Sequence, residues 1–128
     1  MVKKNFYTII FWGFLGLVIL ATLTPLDGIP PIDIGFDFID KIIHLIIFLV
    51  LTILSYFAYP NFNRWINLAW LVLFGLIIEI LQHALPTGRS FDWYDWIFDI
   101  LGVIIAFAIC YYTGLLNYIK RKLDRIFL

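Results

Sequence analysis

The chain has 128 residues, 63% of them hydrophobic and 14% charged. Soluble domains carry roughly a quarter charged residues, so the composition reads as that of a membrane protein. Nine Lys and Arg balance nine Asp and Glu. With zero net charge, no G-x-x-x-x-G-K-[ST] phosphate loop and no RNA-binding motif, nothing points to nucleic acid as a partner. The single cysteine, Cys110, excludes an intramolecular disulfide and a CxxC metal site and reads as a packed thiol.

Four apolar stretches are long enough for the roughly 20 helical residues that cross a hydrocarbon core. They are residues 6–23, 41–58, 65–85 and 96–116. The expected fold is therefore all-α, a single membrane domain over 1–128 built as a bundle of four transmembrane helices. The first stretch follows Lys3 and Lys4, as a signal peptide would, but its apolar run is long. Ala21-Thr22-Leu23 also lacks a small-x-small cleavage pattern, so it is expected to stay as a span. Between spans one and two runs TPLDGIPPIDIGFDFID, rich in the Pro and Gly that break helices. The short YPNFNR and LPTGRS connections predict tight antiparallel hairpins of spans two and three and of spans three and four. The tail, residues 117–128, is basic and amphipathic, as a surface helix on the inner leaflet would be.

Basic residues of short loops stay cytoplasmic. With the amino terminus inside, Lys3, Lys4, Arg64, Lys120, Arg121, Lys122 and Arg125 lie inside and only Lys41 and Arg89 outside. The expectation is a multi-pass protein of the bacterial plasma membrane with both termini cytoplasmic. In that topology eight of the nine acids fall at or near the outer face, Asp124 being the exception.

Residues three or four apart share a helix face. This gathers Asp37, Asp40, Lys41 and His44 at the start of span two, Glu79, Gln82 and His83 at the end of span three, and Asp92, Asp95, Asp99 and Gly102 down span four. At 1.5 Å rise per residue, Glu79 and Asp99 each lie about 10 Å inside their helix ends, so they are expected to meet at one level. Ionisable groups at that depth face a bundle interior or a wet cavity, because facing lipid costs about 3 kcal/mol or more. Six acids (Asp37, Asp40, Glu79, Asp92, Asp95, Asp99) stand there against Lys41 and Arg89. A shared proton, a bound divalent cation or deep water is needed to tolerate them. One histidine among carboxylates suits a hard or borderline metal, but there is no H-E-x-x-H zinc signature.

Structural readings stand beside these. Asp40 suits a helix cap, Asp92 suits an N-cap, and Glu79 can pair with Arg89 across the turn. Lys41 can snorkel to head groups, Ser90 can cap a helix start, and Gly102 can admit a close neighbouring helix.

The stretches DKIIH (Asp40 to His44), EILQ (Glu79 to Gln82) and PTGRSFDWYDWIFDILG (Pro86 to Gly102) resemble the motifs of the VanZ-like family of small bacterial membrane proteins. The Thr24-Pro25 turn fits as well. Asp40, Lys41, His44, Glu79, Gln82, Arg89, Ser90, Asp95 and Gly102 match by motif position, whereas Asp99 stands where the family usually shows asparagine. The resemblance implies a cell-envelope protein similar to one that gives low-level resistance to the glycopeptide teicoplanin. Three functions stay open. Asp40, Lys41, His44, Glu79, Gln82, Arg89, Ser90, Asp95 and Asp99 can bind a lipid or cell-wall-precursor head group in a pocket opening outward. Alternatively His44, Glu79 and Asp95 can carry acid/base or metal-assisted catalysis, or the chain can be an assembly partner without ligand. Neither a cofactor nor a metal is specified by these residues.

Overall fold

A bilayer offers no water to satisfy backbone N–H and C=O groups, so apolar segments of this length must close their hydrogen bonds internally as helices. The computed structural model describes residues 2–24, 35–86, 88 and 91–128, with the side chains of 2–4 and 35–37 outside that description. It contains five helices: α1 (Val2–Leu23), α2 (Gly35–Ala58), α3 (Arg64–Ala84), α4 (Trp93–Tyr112) and α5 (Leu115–Phe127). The first four are each long and apolar enough to cross a membrane. Their outer faces carry large exposed apolar side chains such as Ile9, Trp12, Leu17, Leu73, Ile80 and Ile104, as a lipid-facing surface requires.

Local chemistry sets the boundaries. Asn63 caps α3 by accepting from the backbone N–H of Trp65 at 2.9 Å and of Ile66 at 3.2 Å. Asp92 caps α4 through Tyr94 N–H at 2.9 Å, as its sequence position anticipates. That cap starts α4 at Trp93, three residues earlier than the apolar run suggested. At the other end Thr113 is extended and Gly114 follows. The fourth span therefore stops at Tyr112, and the tail helix begins at Leu115 rather than 117. α2 begins at Gly35, six residues before the expected span. Asp40 consequently lies inside a helix and does not cap one.

The packing departs from the simple hairpin order. A short turn does join α2 and α3, and the Ser55 hydroxyl donates to Asn67 Oδ1 near it at 2.7 Å. The two backbones otherwise approach each other little, and α2 instead runs closest to α4. Gly102 explains this: a Cβ on it would run into the Leu45 carbonyl and crowd the Leu49 amide. With hydrogen there, the α4 backbone settles directly on α2. α1 leans on α2 and α3, and α3 on α4. Phe11, Phe48, Leu51, Leu71 and Val103 fill the middle. Because α2 and α4 both begin at the same end of the bundle, their polar first turns come together there.

Candidate functional site: a buried acid and histidine centre

The polar side chains of α2 and α4 form a ladder that descends into the bundle. At its rim Lys41 donates to Asp92 Oδ2 at 3.1 Å and to Asp95 Oδ1 at 3.3 Å. Burial works against the Asp92 charge, but the Lys41 ammonium and the Tyr94 N–H outweigh it and hold this carboxyl below its ordinary value. One turn deeper, His44 Nε2 lies 3.7 Å from Asp95 Oδ2 and 3.9 Å from Asp40 Oδ2. The other ring nitrogen, Nδ1, is 2.8 Å from Asp99 Oδ1. Exposure falls down the ladder, from 25% for the Asp40 side chain through 12% for Asp95 and 7% for His44 to 1% for Asp99.

α3 supplies the third wall. Glu79 is fully buried, and its Oε2 lies 3.4 Å from the Asp92 backbone N–H. Donor atoms of His44, Glu79 and Asp99 all fall within 4.8 Å of one another. The expectation that Glu79 and Asp99 meet at one level is thus met. Two carboxylate oxygens in this centre, Glu79 Oε1 and Asp99 Oδ2, are buried and have no hydrogen-bond partner among the described residues. Such a group costs about 1–3 kcal/mol, more when charged. A shared proton or a cation between them would remove that cost.

Among the described residues the centre is buried, with Asp40, Lys41 and Asp92 as its accessible rim. Two cavities lie elsewhere. One of about 500 Å³, lined by Tyr7, Phe57, Pro60 and Lys120, sits at the opposite end. Another of about 320 Å³ lies among Phe11, Trp12, Tyr59 and Trp70.

Gln82, grouped with Glu79 from its spacing, is also buried, and its amide donates to the Thr22 carbonyl at 2.8 Å. It thereby ties the end of α3 to one of the unpaired carbonyls that close α1. His83 is exposed. Arg89 and Ser90, both expected at the site, lie outside the described residues, as does the Asp37 side chain.

Two participants had escaped notice. Gly75, one turn before Glu79, faces the centre so closely that a Cβ on it would sit 3.0 Å from Asp99 Oδ2. Its signal was available, since an i, i+4 Gly and Glu share a face. Asn67 forms a separate buried polar knot near the α2–α3 turn with Ser55 and with the Trp70 indole N–H, each at 2.7 Å.

Of the residues that carried the sequence resemblance, Asp40, Lys41, His44, Glu79 and Asp95 come together in or around the centre, and Gly102 brings α4 onto α2 beneath it. The family model of VanZ/LLP1 matches residues 3–117, which takes in every one of them. The chain belongs to the VanZ/LLP1 family. The match spans all four membrane helices and ends inside α5. No curated protein and no solved structure matches the chain. Within this VanZ/LLP1 chain the Asp99 carboxylate is the innermost acid on α4, and it orients the imidazole of His44.

Proposed function

We propose that this protein sits in the bacterial plasma membrane with both termini in the cytoplasm and the acidic end of its bundle facing outward. There it binds the polar head group of an envelope lipid or cell-wall precursor, and through that binding it lowers sensitivity to glycopeptides of the teicoplanin type. The orientation is supported by the seven-to-two division of basic residues. The binding role rests on one observation above the rest: the unpartnered Glu79 and Asp99 oxygens, buried beneath a rim of charged side chains. Groups so costly in a bilayer persist where they meet a ligand or ion.

The test is mass spectrometry of the protein purified gently from its own membrane. An envelope lipid or precursor should accompany the wild-type chain and be lost from Lys41→Ala, which removes the accessible cation of the rim. Cells lacking the protein should also become more sensitive to teicoplanin. A chain that carries only bulk phospholipid, identical in the variant, would contradict the reading.

A catalytic reading has its own support in the His44 ring. The Nδ1–Asp99 contact fixes the imidazole, and Nε2 is turned toward the rim, the arrangement a general base needs. It requires that Asp99→Asn abolish turnover of an envelope lipid while the folded yield stays high. Retained turnover would exclude it.

A further inference from the structure

We propose that His44, Glu79 and Asp99 bind one divalent transition-metal ion of hard or borderline character, Mn²⁺ or Zn²⁺, beside Gly75. Four independent features meet at this spot. The donor atoms of the three residues already lie within 4.8 Å of one another. Around a tetrahedral ion, ligands about 2.1 Å away stand about 3.4 Å from one another, so side-chain rotations that close the widest pair by up to about 1.4 Å complete the set. One imidazole and two carboxylates are also a donor set suited to these ions.

The second feature is the pair of orphan oxygens. Glu79 and Asp99 are both fully buried, and Glu79 Oε1 and Asp99 Oδ2 have no partner among the described residues. Glu79 stands one turn after Gly75 on the same face of α3. Asp99 Oδ2 lies 3.0 Å from the point where a Gly75 Cβ would be. Any side chain at position 75 would therefore press on the Asp99 carboxyl and the Phe48 ring.

Charge supplies the third feature. Lys41 offsets one of the charges of Asp40, Asp92 and Asp95 at the rim. The deep pair of Glu79 and Asp99 holds two further negative charges, which one divalent ion cancels. The fourth is the outer support that metal ligands ordinarily have. With Nδ1 on the ion beside Asp99, the Nε2–H of His44 points toward Asp95 and Asp40. The Asp92 N–H meanwhile steadies Glu79.

Three protein ligands leave a tetrahedral ion one open position. An oxygen of an anionic head group would take it, which explains how an acidic centre accepts an anion; this last step rests on the head-group reading above.

The experiment is metal analysis of untagged protein purified in mild detergent without chelator, followed by stripping and titration with Mn²⁺ or Zn²⁺ alone, read by thermal unfolding. The proposal expects about one ion per chain and a midpoint that rises with added ion, as ligand linkage requires. Ion retention should fall at least tenfold in Glu79→Gln and in Gly75→Ala, and stay unchanged in His83→Ala. Should a variant fail to fold, the stripped wild-type chain still decides through its response to added ion. Sub-stoichiometric metal with no midpoint shift overturns the proposal in favour of a shared proton, as does an ion retained equally by all variants. Metal without accompanying lipid leaves the site standing and removes the head-group reading; lipid without metal does the reverse.

Discussion

The two ends of the bundle carry opposite charge and solve the problem of polarity in oil in different ways. At the basic end, charged groups stay near the surface and lie over aromatic rings. Lys120 stands 5.4 Å from the Tyr7 ring centroid, and Arg64 stands 5.4 Å from that of Trp65. The Asp124 carboxylate there accepts from the Tyr7 hydroxyl at 2.7 Å. At the acidic end, charges descend into the bundle until two oxygens have no partner among the described residues. The first arrangement anchors α5 to the bundle using inexpensive contacts at an interface. The second is costly, and no packing requirement of four apolar helices calls for it. Fold and site are separable at the two ends, and the comparison can be broken at either.

The largest effect is expected from His44→Ala. It leaves the Asp99 carboxylate buried without its imidazole, and breaking a buried ionic pair costs about 3–5 kcal/mol. Thermal unfolding in detergent should show a large drop. Next is Gly102→Ala, whose methyl meets the backbone of α2. Overpacking of that kind costs about 1–3 kcal/mol, and here it also spreads the ladder that α2 and α4 share. Gly13→Ala on α1, where nothing lies within 4 Å of an added Cβ, should be neutral or stabilising by up to about 1 kcal/mol. At the basic end, Tyr7→Phe removes one hydrogen bond, about 0.5–1.5 kcal/mol, and should leave ligand binding untouched.

The smallest effect concerns acid. Asp92 has its carboxyl held below the ordinary value of 3.8 by Lys41 and Tyr94 against the opposing pull of burial. Its stabilising contribution is therefore complete above that value and fades as pH falls below it. The thermal midpoint of Asp92→Asn should fall less steeply than the wild type's on acidification through that range.

Much of this was legible before the structure. Four spans follow from apolar length, and the meeting of Glu79 with Asp99 follows from counting residues in from the two helix ends. The Asp92 cap follows from residue type. Other features were hidden because they depend on which helices touch. Loop length favoured an α2 and α3 hairpin, yet the close approach is of α2 with α4, set by a glycine whose partner lies 57 positions away in Leu45. Asp40 looked like a cap because the apolar run begins after it, while the helix itself reaches back to Gly35. Gly75 was unremarkable until Asp99 was seen facing it. The bond from Gln82 to Thr22 joins residues 60 apart and has no local signal.

The central claim is that the acidic end is kept for a ligand and not for the fold. It is tested most directly by comparing the thermal unfolding of stripped wild-type protein with that of Glu79→Leu, beside mass spectrometry of what each carries when purified gently. Leucine in place of a buried carboxyl with an unpaired oxygen removes a desolvation cost of about 1–3 kcal/mol. The account predicts a Glu79→Leu chain at least as stable as the stripped wild type and devoid of the bound lipid or ion. A markedly destabilised chain that still carries the same lipid and ion would contradict it and return Glu79 to a structural role.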